Sequence, residues 1–155
     1  MVRRLSFRAK ISRVINAPLT FAYDWWTDFR EDDPKISGQK RTISILERTP
    51  NRFIMAVRYE DHIIEGRPAT AARIISLHPP DRWHLDMIGD ESNETGDYKL
   101  TPLGDHKTRL TATFRVSPKT SSGQSAPRFV KVVNALWDKY VLALEMDYKK
   151  QAMKN

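Results

Sequence analysis

The sequence predicts an α+β fold: a curved antiparallel sheet of about seven strands, two short helices after the first strand, and a long C-terminal helix. Three observations carry this reading. Apolar and polar residues alternate at the start and again through most of 41–117, the period-two signature of strands with one buried face. Pro18 and the pair Asp33-Pro34 each open a brief helical pattern. From Ala126 to about Lys154 there is no glycine, and the only proline, Pro127, sits where a first turn tolerates it.

The first strand is marked by Leu5, Phe7, Ala9 and Ile11 alternating with Ser6, Arg8, Lys10 and Ser12. After Pro18, the residues Phe21, Ala22, Trp25, Trp26 and Phe29 recur at helical spacing and predict an amphipathic helix that carries Phe29 on its apolar face. Asp33 reads as an N-cap before Pro34, and Gly38 ends that second short helix. The segments RTISILER, RFIMAVRYE, HIIEGRPATAARIISL, RWHLDMI, TGDYKLTPL and KTRLTATFRV then form an antiparallel meander. Turn residues separate them at Pro50-Asn51, Pro79-Pro80-Asp81, Asp90 to Asn93 and Gly104-Asp105. Gly66 and Pro68 fall inside the long third segment and predict a bulge or strong bend there. Lys119 to Ser125 is a polar loop, and the closing helix presents Phe129, Val133, Leu136, Trp137, Tyr140, Val141, Leu144 and Tyr148 as its apolar stripe. About 28 residues at 1.5 Å each span roughly 42 Å, enough to cross a small domain.

The 155 residues suit one domain, 1–155, large enough to bury roughly 68–70% of the unfolded surface. No cysteine is present, which excludes disulfides, thiolate metal sites and cysteine nucleophiles and suits a reducing compartment. The basic N-terminal segment alternates too strictly for a signal-peptide core, and no run reaches transmembrane length, so a cytoplasmic location is expected. A net charge of +7 requires a test against polyanions. Most of that charge is interleaved with acid, and no zinc-finger or aromatic RNA-binding motif occurs, so no specific nucleic-acid partner is expected.

The stretches VINAPLTFAYDWWTD and DYKLTPLGDHKTRLTATF, together with the order of the elements, resemble the START/SRPBCC superfamily, which includes birch-pollen-allergen-like and polyketide cyclase/dehydrase-like proteins. That resemblance spans nearly the whole chain and implies the helix-grip fold, in which a curved sheet grips the last helix around a cavity. It implies binding or carrying of a hydrophobic small molecule, lipid-like or aromatic. The alternative it implies is a polyketide cyclase/dehydratase-like enzyme using general acid–base catalysis in the same cavity. Members of such a superfamily share architecture rather than chemistry.

With that architecture, alternation nominates the lining. From the sheet come Met55, Val57, Tyr59, Trp83, Leu85, Met87, Tyr98, Leu100 and Phe114; from the last helix Phe129, Val133, Trp137 and Tyr140; from the first helix Trp25, Trp26 and Phe29 as lid or floor. The same residues would also serve a filled core. Acid–base chemistry would fall to Tyr59, Tyr98, Asp86 or His62, whereas His84 and Asp86 share the outward phase if Trp83, Leu85 and Met87 point inward. No metal spacing, phosphate loop, dinucleotide fingerprint or nucleophile elbow is present, and neither a metal nor a cofactor is expected. The acid-rich stretch YDWWTDFREDDP reads as structural, its carboxylates forming a stripe along one helix face and not a convergent cluster.

Overall fold

The computed structural model describes residues 6–119 and 124–155. Leu5 of the expected first strand and part of the polar loop before the last helix lie outside them. Seven strands, β1 (Phe7–Ile15), β2 (Arg41–Arg48), β3 (Arg52–Ile64), β4 (Arg67–His78), β5 (Arg82–Gly89), β6 (Ser92–Gly104) and β7 (Lys107–Pro118), form one antiparallel sheet in the order β1-β7-β6-β5-β4-β3-β2. The strands from β2 to β7 follow one another as a meander, and β1 closes on β7 through pairs such as Ile11↔Ala112. Helices α1 (Leu19–Trp26) and α2 (Asp33–Ser37) sit between β1 and β2, and α3 (Ala126–Met153) closes the chain.

Strand alternation sorts the sheet into two faces. On β7 the residues Leu110, Ala112, Phe114 and Val116 are buried while Arg109, Thr113 and Arg115 are exposed. The buried face joins Ile11, Phe53, Leu85 and Leu100 in one core, which Trp137 and Leu144 of α3 complete. α3 is capped by Ser125, whose side chain accepts from the Arg128 backbone N–H, and Pro127 stands in its first turn. No helix among the described residues is long and apolar enough to cross a membrane.

Two expectations are corrected. The segment 62–77 is not one bent strand: the chain reverses at Glu65 and Gly66, whose φ values of 50° and 77° make a tight two-residue hairpin turn joining β3 to β4. Positive φ at both central residues matches the twist of the flanking strands, and glycine carries the second position without steric cost. The register irregularity lies instead between Tyr59 and Ile63, with another between Ile45 and Glu47. Second, α1 stops at Trp26 with Thr27 as its C-cap, so Phe29 is off the helix, with φ of 39°. The expected stripe of carboxylates therefore does not form. Asp28, Asp32 and Asp33 gather around the Arg30 guanidinium at 3.4, 3.7 and 3.8 Å, and the Asp33 carboxylate accepts from the Arg30 backbone N–H. Asp33 is the first residue of α2 and not its cap, while Gly38, at φ 69°, ends that helix as expected.

Candidate functional site

Between the concave face of the sheet and α3 lies a partly open cavity of about 180 Å³, an order of magnitude more than the ~15 Å³ a single water needs. α1 and α2 close one side, contributing Trp25, Trp26 and Asp33. All four tryptophans of the chain, Trp25, Trp26, Trp83 and Trp137, stand in its wall. Their rings are held by each other. Trp26 meets Trp137 edge-on at 5.5 Å, Tyr98 stacks on Trp83 at 5.0 Å, and Tyr98 meets Phe114 edge-on at 5.5 Å. Trp25 also ties α1 to α3, its indole N–H donating to Asp147 at 2.8 Å. Gly96 makes this packing feasible, because a Cβ there would stand 3.1 Å from both the Phe114 and the Tyr98 rings.

Of the nominated residues, Trp25, Trp26, Phe29, Met55, Tyr59, Trp83, Leu85, Tyr98, Phe114, Val133, Trp137 and Tyr140 line the cavity. Four do not. Val57 and Leu100 are buried in the filled part of the core. Phe129 packs on Phe7 and Phe114, with centroids at 5.8 and 5.2 Å. Met87 lines a second, smaller pocket of about 50 Å³ at the sheet end beside Gly89 and Ser92. Alternation identifies which face is inward, but the length over which helix and sheet stand apart depends on their relative tilt.

The cavity also contains charges that the sequence reading did not nominate. Arg73 on β4 and Glu94 on β6 both line it, each one position from Met87 in the same cross-strand row, Arg73↔Met87↔Glu94. Both lie deep, and the surface they retain belongs to the cavity wall. No ion pair within 4.0 Å joins them. Burial lifts the Glu94 carboxyl above its ordinary value, with Arg73 opposing the shift only in part. For Arg73, burial acts to lower the pKa, but Tyr59, Tyr98 and Glu94 outweigh it, and a hydrogen bond with Tyr59 adds to their effect, so it is a fixed cation. Burial also pushes the Tyr98 hydroxyl far up, keeping it a neutral donor. A signal for both charges existed: Arg73 is in phase with Ala69, Ala71 and Ile75, and Glu94 with Tyr98 and Leu100, so each occupies a core-phase position.

A second polar group stands where α2 meets α3. Arg41 lines the cavity, donates from Nη2 to the Tyr140 hydroxyl at 2.6 Å, and keeps a buried Nε with no partner. Asp33 and Gln39 line the wall with it. Burial raises the Asp33 carboxyl, against the Arg30 backbone hydrogen bond and the charges of Arg30 and Arg41.

The histidines stay outside. His84 is on the convex face, bonded through Nδ1 to Asp97 at 2.7 Å and through Nε2 to Asp86 at 3.1 Å, so Asp86 does not face the cavity. His62 stacks on Tyr59 at 5.6 Å and pairs with Glu91 at 3.0 Å, exposed at the sheet end. Among the described residues no group of three or more acids and histidines is arranged to hold a metal.

This architecture is the helix-grip fold, and solved structures of low sequence identity share it. The Zhui aromatase/cyclase from Streptomyces sp. R1128 superposes with a TM-score of 0.68 at 12% identity, covering 96% of each chain. A START superfamily protein from Mycobacterium smegmatis gives 0.66 at 18% identity over 93% of this chain and 98% of its own. Major latex-like protein 151 from Panax ginseng gives 0.65 at 11% identity over 90% and 97%. At these identities the likeness is one of fold. No protein-family model matches the sequence, and no curated protein matches it.

Proposed function

We propose that this protein binds or carries a hydrophobic small molecule with an aromatic body and one polar end, held in the cavity between the sheet and α3. The observation that carries the reading is the composition of that wall: four tryptophans, Phe29, Phe114 and Tyr98 around a space that also holds the Arg73 cation. Aromatic rings already locked against one another lose little entropy on meeting a ligand, and a few convergent polar groups fix its orientation. Arg73 would receive a carboxylate, phenolate or carbonyl oxygen, since no protein carboxylate lies within 4.0 Å of it. Solvent extraction and native mass spectrometry of the purified protein, with a thermal-shift panel of fatty acids and hydroxylated or carboxylated bicyclic aromatics, test the reading. Aromatic acids are expected to raise the melting temperature and quench tryptophan fluorescence, with Trp26→Phe reducing the quench. A chain that yields no ligand and responds to no member of the panel contradicts it.

A second reading, a cyclase-like enzyme, is favoured by one specific feature. Glu94 combines a raised carboxyl pKa with a place on the same cavity wall as a fixed cation, two strands away. A carboxyl raised above its ordinary value can move a proton while a guanidinium stabilises the developing enolate oxygen. One of the structural relatives being an aromatase/cyclase supports it. Turnover of a poly-β-carbonyl substrate that is lost in Glu94→Gln with binding retained would establish this reading; binding without turnover would leave the carrier.

A further inference from the structure

We propose that the convex face of β1, β7, β6 and β5 is a docking surface for an anionic lipid bilayer. Arg8 and Lys10 on β1, Arg109 and Arg115 on β7, Lys99 on β6 and Arg82 on β5 all alternate with buried residues, so all six project from the same outer face. Four strands at about 4.8 Å spacing place them on a patch roughly 14 Å wide. None takes part in an ion pair. Two pairs of like charges are directly opposite across the ladder, Arg8↔Arg115 and Arg82↔Lys99. Directly opposed like charges destabilise a sheet. The only carboxylates on the neighbouring outward positions, Asp86 and Asp97, are both engaged by His84. Four basic residues elsewhere on the surface are neutralised locally, in Arg52–Glu47, Arg58–Glu60, Arg67–Asp90 and Arg13–Asp138. Between the six cations stand Ser12, Thr95, Thr111 and Thr113, hydroxyls suited to phosphate oxygens.

The shape selects among polyanions. A sheet face four strands broad is too wide for the DNA major groove, which admits a helix or a two-stranded ribbon. It also carries no outward Phe, Tyr or Trp on which a base would stack. A planar surface of anionic headgroups matches it, each cation near such a surface adding to attraction that salt screens. Exposed Val14 and Ile88 at the margins of the patch supply apolar contacts for the headgroup boundary. Docking by this face would leave the cavity, on the opposite side of the same strands, free.

The test is co-sedimentation of the full chain with phosphatidylcholine vesicles and with vesicles containing 30% phosphatidylglycerol, at low and high salt. Binding is expected to the anionic vesicles only, and to fall with salt. The triple variant Arg8→Gln, Lys10→Gln, Arg115→Gln should lower the partition coefficient on the order of a hundredfold. The variant Lys149→Gln, Lys150→Gln, Lys154→Gln, which removes the same charge from the end of α3, should lower it far less. The proposal is overturned by equal binding to neutral vesicles, by equal losses in the two triple variants, or by tighter binding to a duplex oligonucleotide than to the anionic vesicles. Melting temperatures of both variants confirm that the fold is retained, and the outcome does not depend on any ligand of the cavity.

Discussion

The two faces of the sheet treat charge in opposite ways. On the concave side Arg73 and Glu94 are enclosed by aromatic rings, and every change in their ionisation is felt strongly because little water screens it. On the convex side Arg8, Arg115, Arg82 and Lys99 oppose one another in direct like-charge pairs and are tolerated because solvent surrounds them. Trp83 and Arg82 are consecutive residues, yet one stacks in the core and the other is exposed. The difference teaches that one sheet can enclose an aromatic-lined cavity on one face and present a cationic surface on the other.

The largest effect should come from the concave side. Trp137→Ala removes the ring that meets Trp26, Tyr98 and Phe114, and should cost about 3–5 kcal/mol of unfolding free energy in urea titrations. Thr113→Ala, exposed on the convex face, should stay within about 0.5 kcal/mol. If the two costs were similar, the division between the faces would be wrong.

Next in size is Arg73→Met. It removes the charge-assisted partner proposed for the ligand's polar end, and a bond of that kind is worth about 1.5–3 kcal/mol. Affinity for an aromatic carboxylate in isothermal titration should fall about tenfold or more, while that for its uncharged analogue changes little.

Titration separates the faces again. Glu94 has a folded pKa above its ordinary 4.5, so the unfolded chain releases that proton first and stability falls as pH rises from about 4.5 to the folded value. Glu94→Gln should therefore melt higher than wild type at neutral pH and equally below pH ~4. The attraction of Arg73 is already contained in that sign. His84 behaves differently. Burial lowers its pKa, but hydrogen bonds to Asp97 and Asp86 raise it above 6.5 overall. Its contribution is complete below pH ~6.5 and is lost as pH climbs through the folded value, so Asp97→Asn should destabilise at pH 5.5 and have little effect at pH 9.

Smallest is Arg8→Gln. Relief of the contact opposite Arg115 should stabilise the fold by about 0.2–1 kcal/mol at low ionic strength, and by less in high salt, in thermal melts.

Much of this was legible in the chain. Strand alternation, the Gly38 stop of α2, and the uninterrupted 126–153 stretch specify elements locally, because each depends on neighbours within a few residues. Where the structure departs from that reading, the local signal was weak or ambiguous. Glu65-Gly66 carries less turn signal than Asn-Gly, and the apolar runs flanking it read as continuous. Phe29 fits the helical period, yet the chain leaves α1 two residues earlier, at Thr27.

By itself the sequence determined which residues alternate and that two short helices and one long one are present, and therefore the two-faced sheet with a long helix across it. Only the tertiary structure decided that Arg73 and Glu94 line the cavity, that Val57, Met87, Leu100 and Phe129 fall outside it, and that cations from four separate strands converge on the convex face. The physical reason is common to all three: each depends on cross-strand register and on how far α3 stands off the sheet. Neither is encoded in any local window.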